Sequence, residues 1–262
     1  MKKLLLYTFS ALFALVSCSD SDDNSNTPLS SFLPLTATSA WVYDVSLDAQ
    51  NVGRDSLYVN GETTINGKTY QQISTASTPA GFYTSALNNN NIRKEGDMLL
   101  LTGTTGLALD AFFPVNVEVT DFVLFKENSA NNVELDAVSG TIEQDLQGFP
   151  LKIEYKLRSI FKESLANYTV PGMVSYTNVK VIQLVANLKV TTLYIVPGIN
   201  SPVTIAILNP QDVIVSTQYY AEGIGMIYSK TDVNFQVNDF SQLGIELPIP
   251  QEGSSTVEEF LD

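Results

Sequence analysis

Histidine is absent from this sequence, and cysteine occurs once, at Cys18. Without imidazole there is no Ser-His or Cys-His nucleophile, no imidazole metal site and no histidine pH switch. A lone cysteine forms no disulfide within the chain and no thiolate zinc site, which needs several soft ligands. Positive charge is scarce too, with 14 Lys and Arg against 28 Asp and Glu. A chain this acidic is a poor partner for nucleic acid and for anionic lipid surfaces. Long stretches with a 3.6-residue apolar period are missing, and so are solenoid repeats. Nothing in the residues asks for a cofactor or a metal.

The first residues carry a compact signal. Lys2 and Lys3 precede the apolar run Leu4 to Val16, which leads into small residues and reads as an export signal over 1–17. The run falls short of the roughly 20 apolar residues needed to span a bilayer. Leu15-Val16-Ser17-Cys18 resembles the lipobox of bacterial lipoproteins, which implies that Cys18 carries acyl chains such as palmitate and becomes the mature N-terminus. Ser19-Asp20-Ser21-Asp22-Asp23 resembles the acidic tag of surface-displayed lipoproteins of Bacteroidetes, which implies an outer-membrane, lipid-anchored location at the cell surface. Residues 18–31 are polar and poor in large apolar groups, so they read as a tether. Asp20, Asp22 and Asn24 have the first spacings of a calcium loop, but Ser25 and Ser31 stand where its glycine and bidentate glutamate belong. Cleavage before Cys18 removes Lys2 and Lys3 and no acid, which leaves 12 cations against 28 acids and a formal charge of −16.

Residues 32–247 read as one β-rich domain, and 248–262 as an acidic C-terminal tail in which Ser255 to Glu258 has the pattern of a helix cap. Period-2 alternation dominates. Trp41, Tyr43, Val45 and Leu47 alternate with Asp44 and Ser46, and Lys152, Glu154, Lys156 and Arg158 alternate with Ile153, Tyr155, Leu157 and Ser159. Further segments rich in β-branched and aromatic residues run over 115–126, 176–188, 190–196, 203–208, 213–220 and 224–235. Asn66-Gly67 between two such runs predicts a type I′ hairpin turn. Pro171-Gly172 and Gly223 with Gly225 mark further turns or bulges. The expected fold is all-β, a strongly curved antiparallel sheet forming a half-barrel or barrel with few short helices, because so long a sheet must curl to protect its edges.

Two later segments carry a second resemblance. Tyr168-Thr169-Val170-Pro171-Gly172-Met173-Val174-Ser175-Tyr176 through Val181, followed by Tyr219-Tyr220-Ala221-Glu222-Gly223-Ile224-Gly225-Met226-Ile227, resemble two elements found in that order in secreted and outer-membrane proteins of Bacteroidetes. Some of those are similar to the LolA/LolB half-barrel, which implies a lipocalin-like curved sheet able to hold a lipid. The first element departs from the pattern at Met173 to Tyr176.

Candidate chemistry is thin. Ser159 and Lys162 have Ser-x-x-Lys spacing, but on a strand they point to opposite faces. Glu134 with Asp136, and Glu143 with Asp145, form same-face carboxylate pairs if both segments are strands, as glycoside hydrolysis would need. Solvated edges explain such pairs equally simply. Asp110 and Gln183 are candidate ligand-binding residues, polar groups within apolar stretches that either line a cavity or tie the sheet together. Trp41 reads as core. Asp55-Ser56-Leu57 resembles the short O-glycosylation pattern of Bacteroidetes.

These readings point to a non-enzymatic lipoprotein of the cell envelope, membrane-bound through its N-terminal lipid, whose curved sheet holds a lipid or other hydrophobic ligand. The alternatives are an accessory protein docking a partner and a surface glycan-binding module. Cys18→Ala is expected to move the protein from the membrane pellet to the soluble fraction; retention in the membrane contradicts lipidation at that residue.

Overall fold

The computed structural model describes residues 31–106, 115–146, 148–194, 201–241 and 249–262. Cys18, the signal segment, most of the tether and Asp110 lie outside the described residues. The fold is all-β, with twelve antiparallel strands and a single short helix among the described residues. In chain order these are β1 (Ala40–Leu47), β2 (Gln50–Ile65), β3 (Lys68–Thr75), α1 (Phe82–Leu87), β4 (Asn91–Glu95), β5 (Met98–Gly106), β6 (Asn116–Lys126), β7 (Val133–Leu146), β8 (Phe149–Thr169), β9 (Ser175–Tyr194), β10 (Val203–Ala221), β11 (Gly225–Gln236) and β12 (Glu252–Leu261).

The strands form one sheet in the order β6-β5-β4-β3-β2-β1-β12-β11-β10-β9-β8-β7. Each neighbour is sequence-adjacent except at β1, which pairs with β12 and so brings the two ends of the chain together. The sheet curls into a nearly closed barrel, with its edge strands β6 and β7 side by side. Side chains close the seam where the ladder does not. The Val123 amide donates to Asp136 Oδ2 at 2.9 Å, and Ser159 Oγ donates to the Val123 carbonyl. These bonds satisfy edge groups that would otherwise invite another chain.

Local chemistry accounts for most of the strands. The Asn66-Gly67 turn has φ of 51° and 76°, the type I′ geometry its sequence predicts, and joins Ile65 directly to Lys68. Segments read as separate strands are continuous in the structure. β9 runs through Lys189, and β10 passes Asn209-Pro210 as an irregularity in its register with β9. Bulges of this kind let the long strands bend round the barrel. The β8–β9 and β10–β11 turns fall at Val170–Val174 and at Glu222–Ile224, as the Pro-Gly and Gly-x-Gly punctuation indicates.

The C-terminal expectation is corrected. Residues 252–262 are neither a tail nor a helix start, because β12 lies between β1 and β11 in the middle of the sheet. Its inward row is Val257, Glu259 and Leu261, and its outward row is Thr256, Glu258 and Phe260. An acid in the core row and a phenylalanine outside hide the alternation.

A chain of rings fills the interior. Tyr43 meets Tyr83 edge-on at 5.8 Å, Tyr83 meets Tyr220 at 6.2 Å, Tyr220 meets Phe125 at 5.3 Å, and Phe125 meets Phe32 at 5.2 Å between centroids. Trp41 belongs to the same core and donates from Nε1 to the Ile224 carbonyl at 2.7 Å. Gly225 has φ of 121°, and a Cβ there would sit 2.6 Å from Trp41 Nε1. Gly225→Ala is therefore expected to cost about 2 to 3 kcal/mol in chemical denaturation, from backbone strain plus overlap. Ala49, in the two-residue β1–β2 turn, has φ of 63°, so Ala49→Gly is expected to add about 1 kcal/mol.

Candidate functional site

Two buried carboxylates from distant strands converge on the start of α1. Asp55 of β2 is 2% exposed and Glu259 of β12 is fully buried. The helix supplies no cap of its own, since Gly81 stands at the N-cap position without a side chain. Its orphan amides are met from the sheet instead. Asp55 accepts from the amides of Ala80, at 3.0 Å, and Gly81, at 2.7 Å. Glu259 accepts from the amides of Tyr83, at 2.7 Å, and Thr84, at 3.0 Å, and from Ser229 Oγ at 3.0 Å. Gly81 is required for space, because a Cβ there would lie 2.1 Å from Glu259 Oε1.

Thr84 Oγ1 joins the two acids. It lies 2.5 Å from Asp55 Oδ2, 3.0 Å from Glu259 Oε1 and 3.3 Å from the Gly81 carbonyl. A hydroxyl has one proton to offer three acceptors, so the cluster is satisfied when one carboxyl is itself protonated and donates back to Thr84. Burial pushes the Glu259 carboxyl above the usual range, against the pull of the amides and hydroxyls it accepts from. The neighbouring Tyr83 and Tyr43 hydroxyls are also pushed up by desolvation. Tyr83 Oη, buried among them, makes no hydrogen bond of acceptable geometry.

Neither Asp55, Thr84 nor Glu259 lines the cavities at the β9–β10 end, along β10 and β11 or beside Phe32. The cluster grips a plug. The segment around α1 places Phe82, Tyr83 and Leu87 in the barrel core, and the two carboxylates fix it there.

An apolar-walled opening lies elsewhere, at the end of the barrel where β9 leads into β10. A cavity of about 460 Å³ is lined by Glu143, Asp145, Leu151, Lys152, Thr191 and Leu193, among others. Glu143 and Asp145 share this wall, as their spacing predicts, and Asp145 is engaged in a turn. Lys152 stands directly opposite Glu143 across the β7–β8 pair, and Asp145 Oδ1 takes the Gly148 amide at 2.7 Å to close the turn. The Gln144 amide nitrogen beside them is buried without an acceptor.

The remaining sequence candidates are dispersed. Glu134 and Asp136 do not form a same-face pair, because a register shift between them turns Asp136 toward the seam while Glu134 faces Lys156 at 3.6 Å. Ser159 is buried on the seam, apart from the half-exposed Lys162, as strand geometry requires. Gln183 lies between Val181 and Val185 on the face opposite the core residues Ile182 and Leu184. It bonds Thr217 of β10 at 3.3 Å and is not among the cavity-lining residues, so it ties strands together. In the Asp55-Ser56-Leu57 pattern the aspartate is committed to α1. Sequence reading passed over Asp55 and Glu259 as site residues; the available signal was an acid in an otherwise apolar row of each strand.

A second charged cluster sits on β3, β4 and β6. Asp121 accepts from Arg93 Nε at 2.8 Å, Lys68 Nζ at 2.7 Å and Tyr70 Oη at 2.6 Å, and the Arg93 guanidinium holds its carboxyl well below the usual range. Asp121 has φ of 52°, so the cluster pins an irregular point of β6. Among the described residues no group of three or more His, Cys, Asp or Glu is placed to hold a metal.

Comparison with known proteins adds no family to this geometry: no family model matches the chain, and neither a curated protein nor a solved structure matches it.

The raised Glu259 carboxyl has a thermodynamic consequence. A carboxyl whose pKa is raised in the folded state stabilises the fold fully below its unfolded value, 4.5, and that contribution is lost as pH rises through the folded value. Glu259→Gln keeps an oxygen acceptor and an N–H donor for Thr84 without a charge. It is expected to fold and to gain stability relative to the wild type as pH is raised above about 4.5. Glu259→Ala, which leaves buried donors unpaired, is expected to cost about 2 to 4 kcal/mol. A wild-type-minus-Gln difference that is flat with pH, in urea titrations, contradicts the raised Glu259 carboxyl.

Proposed function

We propose that this protein is a non-enzymatic, lipid-anchored lipoprotein of the bacterial outer membrane, displayed at the cell surface, whose plugged barrel is a rigid module for docking a protein partner. The observation that carries this reading is the filled interior. α1, the ring chain from Tyr43 to Phe32 and the Asp55/Glu259 grip occupy the space that a ligand carrier of this shape would keep open. The lipobox ending at Cys18 and the acidic run after it support the anchor and the location. Fold alone does not assign activity.

A second reading, binding of a small hydrophobic ligand, draws support from the cavity of about 460 Å³, whose wall includes Leu151 and the 54% exposed Leu193. That volume falls in the range of small-molecule sites. Its position at the barrel end would make it an outer pocket distinct from a lipocalin-type lumen. The outer aromatic row gives glycan binding less support. Tyr168 stacks on Tyr219 at 4.1 Å and 14°, so these rings spend their faces on each other.

Native mass spectrometry of the full lipidated chain from an envelope-containing host, with solvent extraction, separates the readings. The docking role predicts the mass of the acylated protein alone, and the same mass after incubation with envelope lipids. A stoichiometric extra hydrophobic molecule, lost from Leu151→Trp, supports the ligand reading instead.

A further inference from the structure

The β8–β9 and β10–β11 turns lie at one end of the barrel, and the chain's N-terminal lead arrives at the same end. The Ser31 carbonyl accepts from the Gly223 amide at 2.8 Å, and Phe32 is buried beside it. The β10–β11 turn is braced against β9 and β1. The Glu222 amide bonds the Asn178 carbonyl, their side chains meet, and Trp41 Nε1 holds the Ile224 carbonyl. From this braced platform three apolar side chains project into solvent: Met173 at 41% exposure, Val174 at 61% and Ile224 at 38%.

Around them lie half-buried rings. Tyr168, Tyr176, Tyr219 and Phe260 pack around the core of Val170, Val179, Ala221, Ile227 and Tyr228. The β8–β9 hairpin end carries no charge of its own, while the β10–β11 turn beside it carries Glu222. Ser164 to Val179 contains no charged residue, although 16% of the chain is charged and two or three would be expected in a stretch of this length. Glu163 and Lys180 bound it. Apolar tips followed by tyrosine rings is the order in which a protein surface meets the hydrocarbon edge and the interface of a bilayer.

We infer that this end of the barrel rests on the membrane, with Met173, Val174 and Ile224 dipping into the lipid interface. The inference rests on the lipoprotein reading, since acyl chains on Cys18 would bring this end to the bilayer. The thirteen residues from Cys18 to Ser31 reach at most about 45 Å, so the anchor keeps the platform near lipid without fixing its orientation. The tips supply the orientation. Three side chains are too small an area for a stable protein interface, which buries about 800 Å² per partner, but they suffice to bias a domain already tethered at the surface. The opposite end exposes Leu47, Val52 and Leu193 as well, but the lead does not leave there.

The test uses the full lipidated chain in phosphatidylethanolamine–phosphatidylcholine vesicles, which carry no net charge. Single-cysteine variants Val174→Cys, Ile224→Cys and Leu193→Cys each carry a fluorescent label, because Cys18 is blocked by acylation. Nitroxide-bearing lipids are expected to quench the labels at 174 and 224 and to leave the label at 193 bright. Vesicle flotation is read on the same samples. A chain that floats with all three labels bright, or with only 193 quenched, overturns the orientation and leaves the lipoprotein reading standing. A chain that does not float overturns both.

Discussion

Everything in the barrel interior depends on how two acids are kept there. An unpaired carboxylate costs several kcal/mol to bury, and this fold buries Asp55 and Glu259 within reach of one hydroxyl. The cost is offset because each acid meets donors that need a partner: the amides of Ala80, Gly81, Tyr83 and Thr84, at the start of a helix with no cap of its own. A six-residue helix, far too short to persist alone, thereby becomes a fixed part of the core, and Phe82, Tyr83 and Leu87 complete the packing.

The same bonds tie the ends of the chain together. Glu259 belongs to β12, the last strand, which fills the gap between β1 and β11; Asp55 belongs to β2, next to β1. The grip on α1 therefore exists only after the final residues have been inserted. Such a topology puts its decisive contacts far apart in sequence and favours slow folding. Barrel closure at the other side is less demanding. The seam needs only Asp136 and Ser159 to reach across to Val123.

The all-β class, the Asn66-Gly67 hairpin, Trp41 in the core and the turns at Pro171-Gly172 and Gly223 were legible because each rests on local chemistry: alternation, positive φ, or a ring on an apolar row. The plug and β12 were not. In β2 and β12 an acid occupies a core-facing position, and its reason lies in an amide on another element, which no period reveals. The Glu134/Asp136 pair failed for a related cause, since the register shift that separates them serves the seam. Glu143 and Asp145 share a wall as their spacing indicates, and the Gly148 amide that occupies Asp145 comes from turn geometry.

The account stands on α1 being core and not a lid. Native-state hydrogen exchange at the amides of Ala80, Gly81, Tyr83 and Thr84 tests this most directly. A plug gripped by buried carboxylates predicts that these four exchange only through global unfolding, at the same free energy as the amides of β11 and β12. Exchange through a local opening, at a free energy well below that of the surrounding strands, would make α1 a lid over an accessible interior and return the barrel to the carriers.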